Sequence, residues 1–296
     1  MSAKANGMPK ARPTLIPAIL ALLMALLLSG CEWELFDKEK RGEDDDDDLP
    51  EIASQVTGLE LGVSDLTLSV PVYNDGLGMR IASDVTTDNS RRITLVSPNS
   101  PFPATLTLIE FTDGLGRNLQ DNPGKLVFYT PNAEILANRF DLAGGVVTLP
   151  PAEQEGFGVV GFGRDPDNNL IEIVEAPQVS INLLGAVGLG VSDLDAARDF
   201  YRDQVGLTER DFIALDSYDE YIMGTPEGRR SLSLVLMHWN DDVERRYQGN
   251  ETSLRLVSED PDEVIDRTFS EDDEQTQDLD GNHLIIDEDP KDLSIP

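Results

Sequence analysis

Alternating apolar and polar residues run through the chain from residue 54 onward, in stretches short enough to predict strands more often than helices. Residues 56–63, 79–85, 91–96 and 104–111 read as strands, and residues 66–76 as an imperfect helix after the first of them. Pro71 falls inside that helix and, lacking an amide donor, should kink or shorten it. A stretch rich in Gly, Asn and Asp, 112–124, separates this group from the next. There, 125–130 reads as a strand and 133–142 as a helix, with Asn132 as its cap and Gly144-Gly145 as its stop. Strands over 146–149, 156–163 and 170–175 follow, the last two joined by the turn Asp165-Pro166-Asp167-Asn168-Asn169. The order β-α-β-β-β is therefore expected twice within residues 54–176.

The pattern then repeats. Gly62-Val63-Ser64-Asp65-Leu66 returns 128 residues later as Gly190-Val191-Ser192-Asp193-Leu194. At the same offset Tyr73, Asp75 and Gly78 become Tyr201, Asp203 and Gly206, and Leu106, Leu108 and Leu126 become Leu234, Leu236 and Leu254. A constant offset over so long a span means two copies of one unit, residues 54–176 and 181–290. In the second copy, Asp193 can cap a helix over 194–204. The turn recurs as Asp278-Leu279-Asp280-Gly281-Asn282, but its offset has shrunk to 113. The loss falls between 261 and 276, where the first copy has its second helix and a strand, so the last module is expected to be abbreviated. The Asp278–Gly281 turn imitates part of a calcium loop, yet strand-like flanks make it a hairpin instead.

The N-terminus belongs to no copy. Lys4, Lys10 and Arg12 precede an apolar run over 15–28 that is too short for an ordinary membrane span and has the form of a secretory signal. It ends in Leu28-Ser29-Gly30-Cys31, which resembles the lipobox of bacterial lipoproteins. That resemblance implies a signal peptide over 1–30 and lipidation of Cys31, the single cysteine. A plain export signal is the alternative. Glu32, rather than an aspartate, follows the cysteine and favours the outer membrane, facing the periplasm or the surface. Residues 31–53 read as an acidic tether, with six like charges over 43–48. The formal charge of −33 argues against nucleic acid as a partner.

The copies resemble the vicinal oxygen chelate superfamily, which includes glyoxalase I, bleomycin resistance proteins and extradiol dioxygenases. The carrying residues are Val-Ser-Asp-Leu with Phe200-Tyr201-Arg202-Asp203 and Gly206-Leu207 in copy two. In copy one they are 73–78 and the segment from Gly163 to Glu172. The resemblance implies an α+β fold of tandem domains built from βαβββ modules, each module forming half of an open barrel around a ligand cavity. Enzymes of the family hold a divalent metal there, on His and Glu of the first and last strands. The corresponding positions in copy one are Gly58, Glu110, Lys125 and Glu172; in copy two they are Ala186, His238, Ser253 and Ile285. In copy one two carboxylates, Glu110 and Glu172, match the metal pattern and the two histidine positions do not; in copy two only His238 remains as a possible ligand.

Lys125 is expected to neutralise Glu110 and Glu172 in place of a metal charge. The alternatives are a cationic anchor for an anionic ligand, an acid–base group, or a solvent-exposed strand lysine. His238 could join His283 and a carboxylate, or pair with Glu172 across domains, in a residual metal site. No nucleophile–base pair stands out, so the catalytic residues are unassigned. These features favour a lipid-anchored envelope protein that binds a small molecule without a cofactor. The alternatives are a lyase or ring-cleaving dioxygenase using Fe, Mn, Ni or Zn, and a structural docking scaffold. The oligomeric state has no signature in the sequence.

Overall fold

The computed structural model describes residues 52–288, except 121, 226–230, 242 and 271–274. The signal segment, the tether and Cys31 lie outside the described residues. Four modules follow one another. The first contains β1 (Ser54–Gly62), α1 (Leu66–Pro71), β2 (Arg80–Thr86), β3 (Ser90–Val96) and β4 (Thr105–Phe111). The second contains β5 (Lys125–Thr130), α2 (Ala133–Leu142), β6 (Val146–Gln154), β7 (Gly158–Arg164) and β8 (Leu170–Glu175). The third contains β9 (Leu183–Gly190), α3 (Leu194–Asp203), β10 (Thr208–Ala214), β11 (Tyr218–Gly224) and β12 (Ser233–Trp239). The fourth contains β13 (Thr252–Ser258), α4 (Pro261–Thr268), β14 (Phe269–Ser270), β15 (Gln275–Thr276) and β16 (His283–Glu288).

Local chemistry accounts for the helices. Asn132 accepts a hydrogen bond from the Ile135 amide and Asp193 one from the Ala196 amide, so both capped helices begin where the sequence places them. Pro71 ends the regular part of α1, and residues 72–76 continue as a π-helical turn closed by Leu77 N–H donating to Val72 O at 2.9 Å. The fourth module departs from expectation in one respect. Its helix is present, capped by Asp260; the hairpin is what has shrunk, with the nine-residue β6 and seven-residue β7 answered by the two-residue β14 and β15.

Sheet pairing crosses the boundary between the sequence copies. Modules one and four form a six-stranded sheet, β16-β13-β1-β4-β3-β2, and modules two and three an eight-stranded sheet, β10-β11-β12-β9-β5-β8-β7-β6. Each seam is antiparallel: β1 pairs with β13 around Leu59↔Leu254, and β5 with β9 around Leu126↔Val187. Because β14 and β15 pair only with each other, the six-stranded sheet lacks on one flank the hairpin that the eight-stranded sheet has.

One apolar core joins all four modules. Strand alternation sends Leu59, Leu61, Leu106, Leu108, Leu254 and Leu256 to one face, where they meet Phe128, Phe140, Leu184 and the helices. Each such side chain stabilises the fold by about 1.5–3 kcal/mol when fully buried.

Within each sequence copy, a buried turn fastens one module to the next. Tyr73 O–H donates to Asp165 at 2.7 Å, and Tyr201 O–H donates to Asp278 at 2.8 Å. Asp167 and Asp280 accept in turn from the backbone amides of Ser64 and Ser192. Both turns need one residue in the left-handed region, which Asn168 (φ 65°) supplies in the first and Gly281 (φ 78°) in the second. Burial pushes Asp165 and Asp278 above the usual carboxylate range, against the opposing pull of their hydrogen bonds, and pushes both tyrosines well above the ordinary phenol value. The tyrosines therefore stay protonated and keep their role as donors.

Candidate functional site

Each sheet has a second face, opposite the shared core, and the two second faces carry different chemistry. On the eight-stranded sheet this face bears Val127, Val160, Leu170, Val174, Ala186, Tyr218, Val235 and Met237, all buried. Lys125 stands among them with its ammonium 2.7 Å from Glu172 Oε2 and 2.5 Å from Glu220 Oε1. All three side chains are withdrawn from solvent, at 4%, 15% and 3% exposed. Burial alone would lower the lysine's affinity for its proton, but the charges of Glu172 and Glu220 outweigh it and hold the ammonium above the ordinary lysine value. Burial raises Glu220, and it pushes the nearby Tyr129 phenol up to about 12. Lys125 fits here because its seam neighbour is Gly188, where a Cβ would come within 3.0 Å of Lys125 Cγ.

The face of the six-stranded sheet is polar and open. It forms a concavity of about 420 Å³ lined by Glu60, Ser83, Val85, Arg92, Thr94, Thr105, Thr107 and Arg255. The register places Ser253, Glu60, Thr107, Thr94 and Ser83 in one row across β13, β1, β4, β3 and β2. Glu60 is only 6% exposed and uses both oxygens, accepting from Arg92 at 3.0 Å and Arg255 at 2.9 Å. Arg255 also reaches Asp287 at 2.8 Å. The Thr94 and Thr107 hydroxyls lie 3.0 Å apart.

The two charge clusters occupy related positions with opposite signs. Arg92 and Glu220 are equivalent at the 128-residue offset, and the seam pair Glu60–Ser253 is the equivalent of Gly188–Lys125. One sheet therefore holds a carboxylate between two guanidiniums, and the other an ammonium between two carboxylates.

The family's metal positions fare unequally. Lys125 and Glu172 meet, but the second carboxylate is Glu220, not Glu110. Strand alternation explains the substitution. Glu110 shares its face of β4 with Leu106 and Leu108, which point into the core, and it pairs across the ladder with Arg91. It therefore stands in the other sheet and on the wrong face to join Glu172. His238 fails for the same reason: it shares a face with Leu234 and Leu236, its Nδ1 lies 2.9 Å from Val191 O, and its ring stacks on Tyr247. Glu172 belongs to the opposite face of that sheet. His283 is on β16 of the other sheet, so no site combines the two histidines. Gly58 cannot be replaced by a ligating side chain, because a Cβ there would collide with the Thr105 hydroxyl. Ala186, Ser253 and Ile285 bring no strong metal donor.

A divalent metal consequently does not fit the residues present. Among the described residues no group of three or more His, Cys, Asp or Glu side chains is arranged to hold an ion. The place between Glu172 and Glu220 is filled by an ammonium that the same carboxylates keep protonated, and a protonated amine has no lone pair to donate. Sequence comparison missed Glu60, Arg92, Glu220 and Arg255 because it followed only the metal positions. Comparing every strand position at the 128-residue offset would have exposed the Arg92/Glu220 and Glu60/Gly188 exchanges.

Comparison with known proteins agrees with this architecture. Residues 55–173 match the model of the Glyoxalase/Bleomycin resistance protein/Dioxygenase superfamily. Glyoxalase I from Zea mays superposes with a TM-score of 0.63 at 17% identity, over 80% of this chain and 93% of that one. A glyoxylase/bleomycin resistance protein/dioxygenase domain from Frankia sp. is 26% identical over 41% of this chain and 96% of its own, with a TM-score of 0.34. A glyoxalase-related enzyme from Fulvimarina pelagi is 22% identical over 45% of this chain and 96% of its own, also at 0.34. No curated protein matches the sequence.

Proposed function

We propose, from the match of residues 55–173 to the model of the Glyoxalase/Bleomycin resistance protein/Dioxygenase superfamily, that this tandem protein uses a cavity of that family's type to bind a small molecule without a metal. The observation that carries the reading is the contrast between its two faces. The eight-stranded face is filled by its own apolar side chains and by the Lys125–Glu172–Glu220 cluster. The six-stranded face is an open, hydroxyl-lined concavity of about 420 Å³, a size suited to a small ligand. The test is metal retention. Protein loaded with Fe(II), Mn(II), Ni(II) or Zn(II) and then desalted should keep no stoichiometric metal.

The binding module is further proposed to sit at the outer membrane through a lipid on Cys31. The support is the apolar run over 15–28 ending in Leu28-Ser29-Gly30-Cys31. Among the described residues no helix is long and apolar enough to cross a membrane. Each buried methylene of an acyl chain adds about 0.8 kcal/mol, so several chains on one cysteine would anchor the protein firmly. Labelled palmitate fed to the producing bacterium should enter the wild-type protein and be absent from Cys31→Ser. Equal labelling of both would rule the anchor out.

A further inference from the structure

We propose that the six-stranded concavity binds a ligand carrying a carboxylate beside one or more hydroxyls, with Arg92 as the principal anion contact. The inference rests on the binding role proposed above and specifies its ligand class. Arg92 is 42% exposed on the concave face and spends one hydrogen bond on Glu60. A guanidinium has five N–H donors in a rigid fork, so Nε and Nη2 remain for a second acceptor. Among the described residues, that acceptor is not another carboxylate of the chain: Glu60 is the only acidic partner of Arg92. This distinguishes Arg92 from four other arginines of the fold. Arg91 is bidentate to Asp84, Arg117 to Asp113, Arg202 to Asp203, and Arg245 to Asp241.

Glu60 is the positioning residue. Because one oxygen holds Arg92 and the other Arg255, the two guanidiniums are fixed on one face before any ligand arrives. Asp287 occupies a further donor of Arg255, which leaves Arg92 the freer of the pair. Thr94, Thr107 and Ser83 stand in the adjacent row and offer hydroxyls that both donate and accept. A planar carboxylate matches the two spare donors of the fork, and neighbouring ligand hydroxyls match the threonine row.

The experiment uses the purified full chain and calorimetric titration, with gluconate, malate and citrate as probes and sorbitol and glycerol as neutral counterparts. The hydroxycarboxylates should bind and the neutral polyols should not. Arg92→Gln should weaken carboxylate binding by about tenfold to a hundredfold, the equivalent of about 1.4–2.7 kcal/mol. Arg92→Lys should fail to restore it, since an ammonium lacks the fork. Ser83→Trp, at the exposed rim, should block binding while leaving Glu60 and both arginines untouched, and serves if Arg92→Gln does not fold. Carboxylate binding that survives Arg92→Gln and Ser83→Trp would overturn the inference. Polyols binding as tightly as carboxylates, with Arg92 dispensable, would also overturn it while leaving the binding role intact. Binding of neither class would overturn both.

Discussion

Lys125→Met is expected to lower the unfolding free energy by about 3–5 kcal/mol, the usual cost of removing one partner from a buried ion cluster. The ammonium is 4% exposed and separates Glu172 from Glu220; without it the two carboxylates face each other among Val127, Tyr218 and Met237. The effect should depend on pH in a defined sense. Glu220 is already raised by burial, and loss of the neighbouring cation raises it further. A carboxyl whose folded value lies above its unfolded one contributes most stability below the unfolded value, about 4.3, and loses it as pH climbs through the folded value. The deficit of Lys125→Met relative to wild type should therefore be smallest in acid and widen toward neutrality. In the wild type, the raised lysine contributes below its unfolded value of about 10.4 and that contribution is lost only at still more alkaline pH. Adding Glu172→Gln and Glu220→Gln to Lys125→Met should recover much of the loss, because a cluster removed whole leaves no uncompensated charge. Urea denaturation of the three forms at pH 5 and pH 8 checks the deficit, its pH dependence and the recovery. A pH-independent deficit would show that lost packing, not charge, causes it.

Asp165→Ala should cost a similar amount, about 3–5 kcal/mol, for a different reason. Asp165 accepts from the Tyr73 hydroxyl at 2.7 Å, from the amides of Asp167 and Asn169 at 3.0 and 2.8 Å, and from the Asn169 side chain at 2.9 Å. Its removal orphans several buried donors together, each unsatisfied group costing about 1–3 kcal/mol with partial relief from relaxation. Tyr73→Phe removes a single donor and leaves the carboxylate its other partners, so it should cost less, about 1.5–3 kcal/mol. Asp278→Ala should repeat the effect in the second copy, where Tyr201, Asp280 and Asn282 form the same network. Denaturation midpoints for these variants supply the comparison. Asp165→Ala no worse than Tyr73→Phe would mean that the backbone of the turn holds without its carboxylate.

The fold was largely legible because its signals are local. Period-two alternation marks β3 and β4, and Asn132 and Asp193 mark helix starts by capping chemistry that needs no tertiary partner. The 128-residue repeat adds the module plan. Strand partners were not legible, since β1 pairing with β13 rather than β5 is a contact between distant segments with equally apolar faces. Glu110 and His238 do not meet Glu172 for one shared reason. Mapping a position to a strand does not fix its face, and one residue of register separates the core from the concavity. Lys125 and Glu172 meet because both lie on the second face of the eight-stranded sheet. Glu220 and Arg92 went unnoticed because neither occupies a family metal position, although their exchange of sign at the repeat offset was present in the sequence throughout.

An ammonium, that of Lys125, stands between the carboxylates where enzymes of the matched superfamily would hold a metal, and the binding proposed for the chain falls to the other sheet. Metal content after loading tests it most directly. Wild-type protein incubated with Fe(II), Mn(II), Ni(II) or Zn(II), desalted and analysed by mass spectrometry of the element should carry no stoichiometric ion, and Glu172→Gln should not change that. One metal per chain in the wild type, lost in Glu172→Gln, would contradict it.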